Sequence, residues 1–236
     1  MESTDSQKTL RRAPTDSRAR WWHWATFVLG VFGVVVQLWI VATQKLTADM
    51  VQLPVPIRLW NVLSYFTIWS NILVTVVAYL LARNPRRHGS VFAVFRLSSL
   101  VMITITGVIY ALVLAQLWAP TGWQKIVDET LHYSVPIFAV GGFLLFGPRP
   151  LFSRDTLWRS LIIPVAWVAY TLIRSPFISY TQDGETRHWY PYHFINVDDI
   201  GYGQVLLNMA VVFVFLLALS WLYTYLDRKL PARPAD

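Results

Sequence analysis

The sequence contains no cysteine. This absence excludes thiol nucleophiles, disulfide bonds and metal sites that depend on thiolate ligands. Any catalytic chemistry therefore has to use hydroxyl, imidazole, carboxylate or amine groups.

Charged residues are scarce as well. Only 14% of the 236 residues are charged, whereas 55% are hydrophobic, and the mean hydropathy is +0.44. A soluble domain has roughly 25% charged residues, and twelve Trp with eleven Tyr are typical of aromatic belts at both membrane interfaces. The composition therefore indicates an integral membrane protein. The net charge is +7, but its distribution does not indicate a nucleic-acid partner. The basic residues lie at the ends of apolar runs, where membrane orientation and contact with anionic lipids explain them.

Six apolar runs are long enough, or nearly so, to cross a bilayer at about 20 residues per helix. They are Trp22–Val41, Val62–Leu81, Phe95–Trp118, Leu131–Phe146, Leu157–Ile173 and Val205–Tyr225. We predict an all-α polytopic membrane protein with six transmembrane helices. Residues 1–20 are expected to be a disordered cytoplasmic tail, residues 21–228 the transmembrane domain, and residues 229–236 a cytoplasmic C-terminal tail.

The basic residues also predict the orientation. Fifteen of the 20 Lys and Arg residues fall on the side that carries both termini, and cytoplasmic segments are enriched in these residues. Both termini are therefore predicted to be cytoplasmic. No Asp or Glu lies inside an apolar run, so a proton-relay carboxylate of the pump type is not expected.

Polar residues are concentrated in the outer halves of the predicted spans. Ser64, Thr67, Asn71 and Thr75 are spaced three, four and four residues apart, which places them on one face of a helix. Unsatisfied polar groups are costly in hydrocarbon, so we expect the outer polar residues to converge in one pocket. These residues are Thr67, Asn71, Gln116, His132, Tyr170, Arg174, Gln204 and Asn208.

His132 is the most informative member of this set, because ionisable residues at membrane depth usually face a protein interior or a wet cavity. Pro136 follows it by four residues and lacks the N–H that would bond to the His132 carbonyl in a regular helix. A threonine hydroxyl needs an adjacent base to act as a nucleophile, and histidine is the usual base. Asp128 or Glu129, one helical turn earlier, is placed to orient the ring. The pattern permits acyl transfer from Thr67 with His132 as base.

Asn71, Tyr170 and Arg174 are the candidate oxyanion or substrate-binding groups, and Asn208 is a further candidate for binding. Each has a plainer interpretation. Asn71 and Asn208 are often interhelical hydrogen-bonding residues, Arg174 can extend to the headgroups, and Thr67 can bond to its own helix. His132 can equally make a structural hydrogen bond.

A metal-dependent hydrolase is the chemical alternative. Six possible ligands are predicted on the outer side: Asp128, His132, His188, His193, Asp198 and Asp199. They do not form an H-x-x-x-H or H-E-x-x-H spacing. The sequence also contains no glycine-rich phosphate loop and no G-x-S-x-G motif. We therefore predict no cofactor and no metal.

The outer segment from Arg174 to about Gln204 is the longest predicted loop. Its core, residues 189–199, is strongly aromatic. A long loop of this composition is expected to be an ordered lid rather than a linker.

Three stretches resemble a known family. Residues 66–71 (FTIWSN), residues 131–136 (LHYSVP) and residues 189–198 of the outer loop resemble the androgen-induced / androgen-dependent TFPI-regulating protein family and its bacterial six-pass branch. The resemblance covers roughly residues 20–228. It implies a threonine hydrolase of fatty acid esters of hydroxy fatty acids, with Thr67 as nucleophile, His132 as base and a lipid ester as substrate. It also implies a bacterial plasma membrane location.

A non-enzymatic lipid-binding or transport protein is the second hypothesis, because the same pocket can hold a headgroup. The sequence does not predict an oligomeric state.

Overall fold

The computed structural model describes residues 14–44, 47–116, 119–182 and 184–232. The helices are α1 (Pro14–Thr43), α2 (Ala48–Gln52), α3 (Val55–Val62), α4 (Phe66–Arg83), α5 (Ser90–Leu112), α6 (Gly122–Glu129), α7 (Val135–Phe146), α8 (Arg154–Ser160), α9 (Ile162–Arg174) and α10 (Val197–Lys229). A π-helical turn, Thr130–Ser134, joins α6 to α7. Strands β1 (Ser179–Gln182) and β2 (Glu185–His188) form an antiparallel hairpin.

Within the described residues, six helical segments are long and apolar enough to cross a membrane. They are Asp16–Thr43, Phe66–Arg83, Ser90–Gln116, Gly122–Phe146, Arg154–Phe177 and Val197–Lys229. The prediction of an all-α chain with six membrane-length helices is confirmed. The fourth segment is longer than the predicted apolar run because α6 and the π-helical turn extend it at its start. The fifth segment is longer because α8 extends it at its start.

The first helix begins earlier than predicted. Pro14 and Asp16 stand in the first turn of α1, where proline and an acidic side chain are favourable. The Asp16 carboxylate also forms a salt bridge of 3.0 Å with Arg86. The predicted disordered tail therefore does not extend over residues 14–20. The rest of that tail, residues 1–13, lies outside the described residues, as do residues 233–236 of the predicted C-terminal tail and Trp118 at the predicted end of the third span.

Helix α1 packs closely along α4. A Cβ atom placed on Gly30 of α1 would lie 2.0 Å from the Thr75 hydroxyl oxygen of α4, so the contact requires a residue without a side chain at this position. Lipid chains are as apolar as the helices, so tight backbone approach of this kind holds membrane helices together more than apolar burial does. The contact fixes α4, which carries Thr67.

The helix ends that are predicted to face the cytoplasm contain more buried polar groups than expected from the sequence. His23, Arg96 and Asp227 are only 2%, 3% and 1% exposed. Arg96 donates to the Gly147 carbonyl at 3.1 Å, and Asp227 accepts bonds from the backbone N–H groups of residues 151 and 152 at 2.6 and 2.8 Å. Arg96 lies inside α5, because the helix begins at Ser90, five residues before the predicted start of the third apolar run. These groups tie the inner turns to α5 and α10 and lie apart from the outer cavity.

Candidate active site

His132 lies in the π-helical turn between α6 and α7. The extra residue in a π turn is often found at functional sites because it changes the direction of a side chain within a helix. Gly107 of α5 packs against this turn, and a Cβ atom placed there would lie 3.2 Å from the His132 carbonyl oxygen and 3.3 Å from Pro136. The turn thus presents the His132 side chain, 13% exposed, toward α4.

Thr67 is the second residue of α4 and is 8% exposed. The first backbone N–H groups of a helix have no partner within the helix, and Tyr65 at the N-cap position makes no side-chain cap. The Thr67 N–H instead donates to the hydroxyl of Tyr192 at 3.3 Å. The hydroxyl oxygen of Thr67 therefore lies beside the partial positive charge of a helix N-terminus.

The hydroxyl and the imidazole are in contact. Thr67 Oγ1 lies 3.2 Å from His132 Nε2. On the other side of the ring, His132 Nδ1 lies 2.9 Å from the Asp128 carbonyl oxygen and 3.2 Å from the Asp128 carboxylate. Two acceptors facing Nδ1 place the ring proton there, so Nε2 carries a lone pair directed at the Thr67 hydroxyl.

Asp128, rather than Glu129, is the acid beside the ring. Asp128 is 7% exposed, whereas the Glu129 side chain is 56% exposed and lies 3.9 Å from Lys125. Tyr110 of α5 completes the group, because its ring stacks on the imidazole at a centroid distance of 3.9 Å and an interplanar angle of 15°. Its hydroxyl also donates to the Asp128 carboxylate. The ring of His132 is therefore held on one face and at Nδ1.

Tyr192 contacts Thr67 from the side opposite His132 in the hydrogen-bond network. Its hydroxyl lies 3.2 Å from Thr67 Oγ1. Because Thr67 donates its single proton to His132, the phenol donates to Thr67 Oγ1 while it accepts from the Thr67 N–H. Burial raises the pKa of the Tyr192 phenol, so the group keeps the proton that it donates. The hydrogen bonds thus run in one direction from Tyr192 through Thr67 and His132 to Asp128.

These residues line a cavity of about 390 Å³. The remaining lining side chains are apolar or uncharged, and they include two glutamines that bond to each other, Gln124 Nε2 to Gln37 Oε1 at 3.1 Å. A cavity of this volume is in the range that holds a small-molecule or lipid-sized ligand. The other lining residues are Thr47, Met50, Val62, Tyr65, Ile68, Leu114 and Leu131.

The aromatic outer loop covers this region as an ordered structure. Gln52 of α2 exchanges two hydrogen bonds with the backbone of Thr181 in β1, at 2.5 and 2.8 Å. The Trp189 indole N–H donates to Asp49 at 3.1 Å, and Tyr192 stacks on Phe194 at 5.1 Å. The expected lid is therefore anchored at both the hairpin and the tryptophan, and it delivers Tyr192 to Thr67.

The eight outer polar residues do not converge in one pocket, which corrects the sequence expectation. Only Thr67 and His132 line the cavity. Asn71 donates to the Thr67 and Leu131 carbonyls at 2.8 and 3.1 Å, so it ties α4 to the π-helical turn. The correction has a simple reason: most of these side chains find a partner near their own helix end.

Tyr170, Arg174 and Asn208 lie away from the cavity lining. The Tyr170 hydroxyl bonds to Ser64 and Trp60, both at 2.8 Å. Arg174 donates to Asn61 at 2.5 Å and lies between two indole rings, those of Trp60 and Trp189. Asn208 donates to the Phe194 carbonyl at 2.9 Å. The proposed oxyanion and binding roles of these residues stay predictions, and the geometry favours Tyr192 for the oxyanion role.

No group of three or more His, Asp or Glu side chains suited to a metal ion occurs among the described residues. His188 pairs with Asp198 at 2.8 Å and His193 with Asp199 at 3.2 Å, each on the outer loop. Asp128 and His132 belong to the cavity instead.

Sequence reasoning missed Tyr192 and Tyr110. From the sequence, both tyrosines are indistinguishable from aromatic residues of the membrane interface or of helix packing, because neither stands in a polar stripe of a predicted helix. Tyr110 does lie on the third predicted span at the depth expected for the outer half, which was a signal that could have been used. Tyr192 is placed by the lid, and no periodic pattern predicts its contact with Thr67.

The chain thus combines six membrane-length helices with one cavity. At this cavity the Thr67 hydroxyl contacts the His132 imidazole, which in turn contacts the Asp128 carboxylate. No protein-family model matches the chain, and no match was found among characterised proteins or solved structures.

Proposed function

We propose that this protein is a membrane-embedded hydrolase of lipid esters, with Thr67 as nucleophile and His132 as general base. The observation that supports this most directly is the 3.2 Å contact between Thr67 Oγ1 and His132 Nε2, with Asp128 on the far side of the ring. The contact is within the reach required of a nucleophile and its base.

In the proposed first step, Thr67 Oγ1 attacks the ester carbonyl carbon while its proton passes to His132 Nε2. Asp128 stabilises the imidazolium that forms, as the acid of a triad does. The negative charge develops on the former carbonyl oxygen. The donor beside this position is the Tyr192 hydroxyl, 3.2 Å from Thr67 Oγ1, which can turn from Thr67 to that oxygen.

In the second half of the reaction, His132 gives its proton to the departing alkoxide, which leaves as an alcohol and an acyl-threonine remains. A water molecule then attacks the acyl carbon and loses its proton to His132 Nε2. The Thr67 oxygen regains a proton from the imidazolium, and the carboxylic acid is released. The alcohol carries away the proton that Thr67 first gave up, and Thr67 regains its proton from the attacking water, so Thr67 and His132 both end the cycle in their starting protonation states.

The substrate class comes from the resemblance in residues 66–71 and 131–136, which implies fatty acid esters of hydroxy fatty acids. The cavity supports this substrate class in chemical terms, because its lining is mostly apolar and includes only a few polar side chains. A lipid ester needs such an apolar volume with few polar groups.

The experiment is labelling of the purified protein by a fluorophosphonate probe, together with turnover of a fatty acid ester of a hydroxy fatty acid in detergent. Thr67→Ala and His132→Ala should each abolish both. Thr75→Ala and His193→Ala are the matched controls. Thr75 lies on the same helix and its hydroxyl bonds only to the Asn71 carbonyl, at 2.7 Å, while His193 is outside the cavity. Labelling of Thr67→Ala at the wild-type level would remove the assignment.

A non-enzymatic lipid carrier is the competing function, favoured by the size of the cavity. It predicts stoichiometric retention of the ester without release of free fatty acid by the wild-type protein. A metal-dependent hydrolase predicts loss of turnover on chelation, which the Thr67 mechanism does not.

We also propose that the protein resides in a bacterial plasma membrane with both termini in the cytoplasm. The absence of cysteine allows a direct test with single introduced cysteines. His88→Cys, in the exposed connection between α4 and α5, should react with a membrane-impermeant maleimide only after lysis. Thr186→Cys, exposed in β2, should react in intact cells, and the reverse pattern would invert the topology.

A further inference from the structure

A second large cavity lies between α8 and the last turns of α10, and the proposed hydrolase site does not use it. Its volume is about 730 Å³. On α8, Arg154, Leu157 and Trp158 are spaced three and one residues apart, so they share one helical face. On α10 the lining residues recur at helical spacing from Leu217 to Arg228. The cavity is thus a groove between two helix faces.

One end of this groove is basic. Arg154 and Arg228 line it, and neither forms a salt bridge with any residue that the structure describes. The acids next to these arginines in the sequence have other partners. Asp155 pairs with Arg159 at 2.9 Å, and Asp227 accepts hydrogen bonds from the backbone N–H groups of residues 151 and 152. No carboxylate lines the groove, so its charge is uncompensated.

The groove becomes apolar along its length. From Arg228 to Leu217 there are eleven helical steps, or about 16 Å at 1.5 Å per residue. This length is close to half of the roughly 30 Å hydrocarbon core of a bilayer. The far end is formed by Leu217 and Ala218, so polarity changes over the depth of one leaflet as it does along a phospholipid.

Aromatic rings stand between the two ends. Trp158 and Trp221 are 60% and 61% exposed, and Trp221 stacks on Tyr225 at 5.5 Å. Indole rings favour the headgroup boundary, where one edge is wet and the other apolar. Their position fixes the depth of the basic end at the level of lipid headgroups.

We propose that this groove binds one molecule of an anionic phospholipid, with the phosphate between Arg154 and Arg228 and an acyl chain along α10 to Ala218. Arginine suits this role because its planar donors bond to phosphate oxygens in pairs. A zwitterionic lipid offers the same chain and phosphate but carries a cationic headgroup that two arginines disfavour.

The test is retention of added phosphatidylglycerol or phosphatidylcholine by the purified, full-length protein in detergent, measured by native mass spectrometry. The wild type should retain one phosphatidylglycerol in preference to phosphatidylcholine. Arg154→Gln and Arg228→Gln should each lower retention about fivefold, and the double variant roughly 25-fold. Arg87→Gln removes the same charge from the connection between α4 and α5, where Arg87 is exposed and lies over the Phe92 ring outside the groove, and it should retain the lipid.

A second variant separates a bound lipid from simple charge attraction. Ala218→Trp fills the apolar end and leaves both arginines in place, so it should also lose retention if the acyl chain occupies the groove. Equal retention by the wild type and the double variant, equal retention of the two lipids, or full retention by Ala218→Trp would each overturn the proposal. The melting temperature of each variant in detergent shows whether it is folded, and this control does not depend on the hydrolase proposal.

Discussion

The backbone N–H of Thr67 donates to the hydroxyl of Tyr192 at 3.3 Å, and the same hydroxyl lies 3.2 Å from Thr67 Oγ1. One phenol from the outer loop therefore touches both the nucleophile and the N-terminus of the helix that carries it. In the proposed reaction this is the position from which a donor can follow the charge that develops on the carbonyl oxygen.

We expect Tyr192→Phe to lower kcat roughly 10²- to 10³-fold, because one oxyanion donor is lost. The KM should change little, since the ring still covers the cavity. Ester turnover in detergent measures both constants. Tyr65→Phe is the matched control, because Tyr65 lines the same cavity without a hydrogen bond to Thr67. A kcat for Tyr192→Phe equal to that of the wild type would assign the phenol to packing.

Asp128→Asn should lower kcat by roughly 10²- to 10⁴-fold, because an amide allows the wrong imidazole tautomer and cannot stabilise the imidazolium. Glu129→Gln, at the adjacent exposed position, should retain wild-type turnover. If both variants lose turnover equally, charge near the cavity mouth matters rather than contact with the ring.

Gly107→Ala should impair both stability and turnover, because the added Cβ would lie 3.2 Å from the His132 carbonyl and 3.3 Å from Pro136. Overpacking of this kind costs roughly 1–3 kcal/mol and displaces the π-helical turn from α4. Thermal unfolding in detergent and labelling of Thr67 measure the two effects. Gly203→Ala adds a methyl group to open space and should leave both unchanged. Unaltered labelling of Gly107→Ala would show that the turn tolerates the shift.

Asp227→Ala should destabilise the protein without altering the chemistry. The substitution leaves the buried N–H of Phe152 and the partly buried N–H of Leu151 without their acceptor, at up to about 1–3 kcal/mol for each. The melting temperature should fall, while the remaining folded protein labels at the wild-type rate. Asp155→Asn, which removes an exposed pair, should change stability by no more than about 1 kcal/mol. A loss of labelling in folded Asp227→Ala would show that the hydrogen bonds of Asp227 also influence the Thr67–His132 site.

The apolar runs predicted the number of membrane helices, because 20-residue hydrophobic length is a local property of the chain. The polar stripe on α4 and the position of His132 likewise placed Thr67 and His132 at one depth. The sequence predicts that either Asp128 or Glu129 orients the His132 ring. In the structure α6 and the π-helical turn place Asp128 beside the ring and leave Glu129 exposed.

The remaining parts of the site depend on tertiary contacts. Tyr192 reaches Thr67 because the hairpin and Trp189 anchor the lid, and no spacing rule encodes that path. Tyr170, Arg174 and Asn208 were expected in the pocket because all polar groups at one depth were assumed to meet. The helices instead satisfy them locally, through Ser64, Asn61 and the Phe194 carbonyl.

Asp128 is the one formal charge among the described residues that line the cavity, and no lysine or arginine offsets it there. In a medium of low dielectric constant, a second anion near it is repelled. The substrate proposed above carries its own carboxylate at a chain end remote from the ester carbon, whereas in the proposed reaction hydrolysis creates a new carboxylate beside Asp128, where it is repelled from the reacting groups. If the hydrolase proposal holds, a free fatty acid should inhibit ester turnover more weakly than a fatty alcohol of equal length, and inhibition constants for such a pair measure how far the reaction helps to clear its own product.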